Sequence, residues 1–182
     1  MPPVETLLRA VANGDEGSFT TLYQSTRGDH IRYATGLLAG DRSAAEDVVD
    51  EAMFAVWEQA GRYSGEGSAQ GWLRRIVRNK AVDWVRKHSR EVGMSEPNEQ
   101  FLLSQADPAP GPHEIAEEAS AAARLREALS GLSVEHREAV WLCYFEELSL
   151  AEIAVIAGCP ENTVKTRLFH ARTKLKGSYQ IH

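Results

Sequence analysis

Only two cysteines, Cys143 and Cys159, occur in this chain of 182 residues, and no cluster of Cys or His with metal-ligand spacing accompanies them. A disulfide framework, a zinc site and redox cycling are therefore set aside, and both thiols are read as buried. No apolar run approaches the ~18 residues needed to cross a bilayer. The start, Met1-Pro2-Pro3-Val4-Glu5, lacks the basic and apolar regions of a signal peptide. A cytoplasmic protein without membrane insertion is expected. Strand alternation and internal repeats are missing as well. So are G-x-S-x-G, a Walker lysine loop, H-E-x-x-H and a dinucleotide fingerprint. No enzyme activity, cofactor or metal is expected.

What remains is helical. With 43% hydrophobic residues the chain can bury real cores. The fold class expected is all-α: two small helical domains, residues 1–90 and 119–182, joined by a flexible acidic linker over 91–118. Apolar spacing gives two helices within residues 4–38, broken near Asn13-Gly14-Asp15, with Phe19, Leu22, Tyr23, Ile31 and Leu37 as core candidates. A third helix is predicted to start at Ser43, where Ser43 and Glu46 have capping-box spacing, and to bury Val49, Met53 and Val56. A loop follows over 61–68, then a helix from about Ala69 to His88 with Trp72, Ile76, Val77, Val82 and Val85 inward. Four of the seven prolines, Pro97, Pro108, Pro110 and Pro112, fall in the 28-residue linker. Fully extended, it would reach at most ~90 Å, against ~42 Å as a continuous helix. Beyond it, helices are expected near 117–129 and after Ser133, the latter turning Val140, Trp141 and Tyr144 to a core.

The last third carries the sharpest pattern. Ser149 and Glu152 form a second capping-box spacing, Gly158 stops that helix, and Pro160 suits the first turn of the next. This reads as a helix-turn-helix. On its second helix Val164, Leu168, Ala171 and Leu175 make one apolar stripe, and the opposite face carries Asn162, Thr166, Phe169, His170 and Thr173. Lys165, Arg167, Arg172, Lys174 and Lys176 flank that face, which suits a helix seated in a major groove between two phosphate backbones.

The net charge of −6 hides two basic islands: residues 72–90 hold seven basic and one acidic side chain, and 161–176 hold five and one. Each charge acts over about 8 Å at physiological salt, so local cation density matters more than the total. In the first island, tryptophans are mixed with cations, which suits stacking on bases with backbone neutralisation. Trp72 reads as core, while Arg78, Asn79, Lys80 and Lys87 read as facing nucleic acid. Asp47, Asp50 and Glu51 share one helix and read as a protein-docking surface or a solvated face.

Together these residues resemble the extracytoplasmic-function (ECF) sigma factors, the smallest group of the bacterial sigma-70 family. Residues 45–53 with Trp57 look like regions 2.1 to 2.2, and residues 71–79 with Asp83 and Arg86 look like regions 2.3 to 2.4. Leu132-Ser133, residues 137–140, and Leu148 to Lys174 look like region 4. The resemblance implies a protein that joins core RNA polymerase and opens particular promoters. It implies that Asp47, Asp50 and Glu51 meet the clamp helices of the largest polymerase subunit, with further contact around the flap that faces the minus-35 element. It also implies that the loop from Tyr63 through Ser64 to Ser68 catches a flipped minus-10 base, with Arg78, Asn79, Lys80 and Lys87 on the displaced strand. Asn162, Lys165, Thr166, Arg167, Phe169, His170 and Arg172 would read the minus-35 element, and an anti-sigma factor would control the whole. Some positions depart from the family pattern: Asp50, Met53, Ala69, Gly71, Asn162 and His170 replace more usual residues.

Physical reach agrees with this reading. Elements two helical turns apart lie ~70 Å from each other, within span of an extended linker of this length. A dimeric helix-turn-helix repressor or activator working without polymerase would leave the first basic island unexplained. An RNA-processing enzyme would need converging catalytic residues that the chain does not offer.

Overall fold

The helix starts follow from local chemistry. In the computed structural model, which describes residues 2–91, 124 and 127–179, α1 (Val4–Ala12) leads into α2 (Glu16–Leu37). Asp15 caps α2 by accepting from the amides of Gly17 and Ser18 at 3.0 and 3.3 Å. The hydroxyl and amide of Ser18 hold its carboxyl below the usual carboxylate range. The next helix, α3 (Arg42–Gln59), does not start at Ser43 as its spacing suggests. Ala39 and Gly40 take positive φ values of 55° and 94°, which delivers Asp41 in extended geometry to accept from the Ala44 amide at 3.0 Å. Glu46 is then free of capping and accepts from Arg42 at 3.1 Å.

A 3-10 turn (Ala60–Arg62) and a loop lead to α4 (Ala69–Glu91). Glu91, placed at the start of the expected linker, instead ends α4; the rest of the linker and most of the helix expected near 117–129 lie outside the described residues, though 124 and 127–130 are helical. Then come α5 (Val134–Tyr144), α6 (Leu150–Ala157) and α7 (Glu161–Tyr179). Among the described residues every regular element is helical, as the periodicity predicts.

The core expectations are met at Leu22, Ile31, Leu37, Val49, Met53, Val56, Val77 and Val82, all buried. Phe19, Tyr23, Trp72, Ile76 and Val85 pack against that core while half-buried. Tyr144 is a correction: it is 52% exposed, because α5 ends there and its ring turns to Arg172 of α7. The two cysteines are half-buried rather than buried, each at the edge of the small C-terminal core.

The sequence does not foresee how the two units meet. Helix α5 packs on α2, and α6 packs on α4. The apolar cores merge into one cluster running from Leu7 to Ala171.

His30 lies inside this body, 2% exposed, with neither ring nitrogen hydrogen-bonded among the described residues. Burial, then the positive charge of Arg74, lowers it from the usual 6.5 to about 4. The folded state thus excludes a proton that the unfolded chain binds below about 6.5. Its contribution to stability is complete above that pH and is lost as pH falls toward about 4, roughly 3 kcal/mol in all. Urea unfolding at stepped pH should show this slope, and His30→Leu should flatten it.

Candidate nucleic-acid and partner interfaces

The helix-turn-helix is built as its residues dictate. The Ser149 hydroxyl accepts from the Glu152 amide at 3.3 Å while the Glu152 carboxylate accepts from the Ser149 amide at 2.8 Å, closing the capping box. The Ser149 hydroxyl, which donates to the same carboxylate at 2.7 Å, and then the Ser149 amide hold the Glu152 carboxyl below its ordinary range. Gly158 ends α6 in the left-handed region, with φ 63°, which a residue bearing a Cβ adopts at a cost. Thr163 then donates its amide to the Pro160 carbonyl at 2.9 Å as α7 begins.

Val164, Leu168 and Ala171 are buried and Leu175 half-buried, so the opposite side of α7 faces solvent. That side presents Asn162, Lys165, Thr166, Phe169, His170, Arg172 and Thr173, all exposed. Phe169 stands 66% exposed, a large apolar group with no core to enter. Its ring lies edge-on to His170, which is also edge-on to His136. Arg172 donates to the Tyr144 hydroxyl at 2.6 Å and lies 5.5 Å from that ring's centroid, which fixes the guanidinium on one flank. Arg167 differs from its neighbours. It is half-buried beside the apolar stripe and reaches the Cys159 sulfur at 3.5 Å, so it does not stand on the exposed face.

The loop after α3 is tied to itself. The Tyr63 hydroxyl donates to the Gly67 carbonyl at 3.1 Å, the Ser64 hydroxyl accepts from the Glu66 amide at 3.2 Å, and Ser68 accepts from the Gly71 amide at 3.3 Å. Gly65 and Gly67 hold positive φ, and the Tyr63 ring rests tilted on Trp72 at 5.8 Å. Along α4, Arg75, Asn79, Arg86 and Lys87 are exposed at helical spacing, and Lys80 is half-buried 3.7 Å from Glu51. Arg78 is not on that stripe. Its side chain is 19% exposed and donates to Glu138 of α5 at 3.3 Å.

On α3, Asp47, Asp50 and Glu51 are all exposed on one face. Asp50 accepts from the Tyr23 hydroxyl at 2.8 Å, and Arg27 stands 3.8 Å away. Phe54, 64% exposed, continues the same face at the i+7 position from Asp47. Sequence reasoning passed over it. The signal was present, since an aromatic seven residues from an acidic position falls on the polar side of the helix.

The contact between the two units was also missed. Arg137 is 8% exposed and donates to the Leu37 carbonyl at 2.6 Å and the Leu132 carbonyl at 2.7 Å. Leu37 ends α2, so a cation from α5 meets the negative end of that helix. Burial lowers this guanidinium to about 10, with Glu135 opposing the shift. Glu138, 1% exposed, accepts from Tyr33 at 3.0 Å as well as from Arg78. Burial pushes its carboxyl up, against the pull of Arg78 and Tyr33. Arg74, four residues before Arg78 on α4, pairs with Glu146 just past the end of α5. The clue lay in α5, where Arg137, Glu138 and Trp141 share a face with buried Val134.

Comparison with known proteins names the class. The sigma-70 region 2 family matches residues 22–91, and the sigma-70 region 4 family matches 122–175. The chain is 30% identical over 162 residues to the ECF RNA polymerase sigma factor SigM of Bacillus subtilis, covering 87% of this chain and 93% of that protein. It is 31% identical over 136 residues to a probable RNA polymerase sigma factor, RfaY, of Xanthomonas campestris, covering 75% of this chain but only 34% of that longer protein. The fold matches the sigma factor RpoE in complex with the anti-sigma factor NepR from Bartonella quintana, with a TM-score of 0.63, 24% identity, and coverage of 90% of this chain and 97% of that one. The chain belongs to the sigma-70 family, within its extracytoplasmic-function group.

The capping box sets the entry angle of the helix-turn-helix. Ser149→Ala should cost about 1 kcal/mol in denaturant unfolding. Glu152→Ala should lose part of the same amount, and the double variant should lose less than the sum because the bonds are reciprocal.

Proposed function

We propose that this protein is a sigma factor that joins core RNA polymerase and directs it to promoters whose minus-35 and minus-10 elements are read by separate units. Residues 1–90 form the unit that binds core and opens the minus-10 element, 91–118 the linker, and 119–182 the unit that reads minus-35. The protein works in the cytoplasm and performs no catalysis of its own. The observation that carries this reading is the pairing of two exposed polar and cationic helix faces, on α4 and α7, with one exposed acidic face on α3. A repressor needs only the α7 face.

In this reading Asn162, Lys165, Thr166, Phe169, His170 and Arg172 face the major groove of the minus-35 element, where an exposed aromatic suits a thymine methyl and amides or cations suit base edges. Arg167, set back beside Cys159, holds the turn or reaches a phosphate rather than a base edge. Tyr63, Ser64 and Ser68 frame a pocket for a flipped minus-10 base. Asn79, Lys80 and Lys87 follow the displaced strand, joined by Arg78 once it leaves Glu138. Extruding a base costs a few kcal/mol, which a pocket recovers only for the base it fits. Asp47, Asp50 and Glu51, with Phe54 as an apolar anchor, meet the clamp helices of the largest polymerase subunit, and the C-terminal unit lies near the flap. Charged rims around an aromatic anchor are the usual anatomy of a tight docking face. An anti-sigma factor is the expected inhibitor.

Run-off transcription with purified core polymerase tests this directly. Added protein should create new start sites, and unchanged start sites would sink the reading. Within the same assay, Asp47→Lys with Glu51→Lys should abolish co-elution with core while leaving helix content unchanged. Lys165→Ala should leave core binding intact and cost ~1 to 3 kcal/mol in duplex minus-35 binding.

A further inference from the structure

The geometry points to Arg9 as an outer wall of the loop assigned to a flipped minus-10 base: its guanidinium is placed to take a backbone phosphate of the opened strand. This rests on the proposed function and deepens it. The loop from Tyr63 to Ser68 contains no cation and one carboxylate, Glu66. A base cannot enter a pocket there without bringing its phosphodiester to the rim. An anion beside Glu66 then needs positive charge from outside the loop. Arg9 supplies it. It is the only Lys or Arg among residues 1–26, and it lies far along the chain from both basic islands.

Its placement is fixed from below. Leu7, Leu8 and Val11 are buried, which anchors α1 against α2, α4 and the 3-10 turn that leads into the loop. Arg9 stands on the exposed side of α1. A Cβ on Gly65 would lie 3.1 Å from one terminal nitrogen of Arg9, so the guanidinium rests directly on the loop backbone. Glycine at 65 thus serves two ends, a φ of 80° and room for the cation. Arg9 donates to Glu5, four residues back, at 2.7 Å, and both side chains are largely in water. An exposed pair of that kind is weak and readily exchanged. A guanidinium has five N–H donors in a fork that matches a phosphate. Glu5 therefore steadies the cation over the loop without committing it.

Arg9→Ala puts the best helix former at an exposed helical position, so the fold should survive, as circular dichroism will check. Fluorescence anisotropy of the full chain with a labelled single strand of alternating thymine and adenine, titrated from about 50 to 200 mM salt, reads the contact. Arg9→Ala should weaken binding about fivefold and flatten the slope of log affinity against log salt by about 0.7, the value of one phosphate on a single strand. Arg9→Lys keeps the charge and should keep the slope. Glu5→Gln should tighten binding about twofold, a gain that should vanish when Arg9 is already replaced by alanine. Mere support of the loop would not move the salt slope. The assignment is overturned if Arg9→Ala leaves that slope unchanged, if Glu5→Gln gains as much without Arg9, or if Arg9→Ala loses co-elution with core polymerase at an unchanged slope. New start sites in run-off transcription with an unchanged slope would sink the role of Arg9 and leave the sigma reading standing. A flattened slope without new start sites would do the reverse.

Discussion

A carboxylate with 1% of its surface in water cannot stand alone, and the arrangement of the whole molecule follows from how Glu138 is satisfied. Its two partners, Tyr33 and Arg78, come from α2 and α4 of the other unit. Arg137, one residue earlier, is buried beside it and bonds the end of α2. These adjacent opposite charges on α5 fix which side of the C-terminal unit meets the N-terminal one, and so place α6 on α4. Among the faces that docking leaves uncovered are the far side of α7, the outer stripe of α4, and the acidic face of α3.

The three exposed faces differ in kind. The α7 face mixes hydrogen-bonding residues with an aromatic and with cations on its flanks, the mixture needed to read base edges. The α4 stripe is cationic and lies next to a loop whose two left-handed glycines and internal bonds set its shape before any ligand arrives. Preorganisation of that sort reduces the ordering cost of binding. The α3 face carries charge of one sign around Phe54, more suited to a protein than to a nucleic acid. Membership of the sigma-70 family and this division of faces are two separate supports for the proposed mechanism.

Much of this was readable in advance, for local reasons. Helices were legible because apolar spacing and capping residues act within a few positions. The box at Ser149, the stop at Gly158 and the stripe on α7 all behave as their spacing implies. Where reading failed, a competing local feature had been hidden by the chain's geometry. Ser43 lost the cap of α3 to Asp41 because two positive-φ residues redirected the backbone. Tyr144 left the core because its helix ends there and Arg172 offers a partner.

From sequence alone came the helical class, the helix-turn-helix, the two basic islands and the acidic face of α3, each determined by residues close together in the chain. Tertiary structure alone decided that Arg78 and Arg74 turn from the solvent stripe toward α5 and its end, and that Arg167 leaves the reading face for Cys159. It also decided that His30 is buried inside the body and that Glu138 is buried where two units meet. For Arg74, Arg78 and Glu138 the partners lie 60 to 105 positions away, and no local periodicity reports which distant surface will supply the counter-charge.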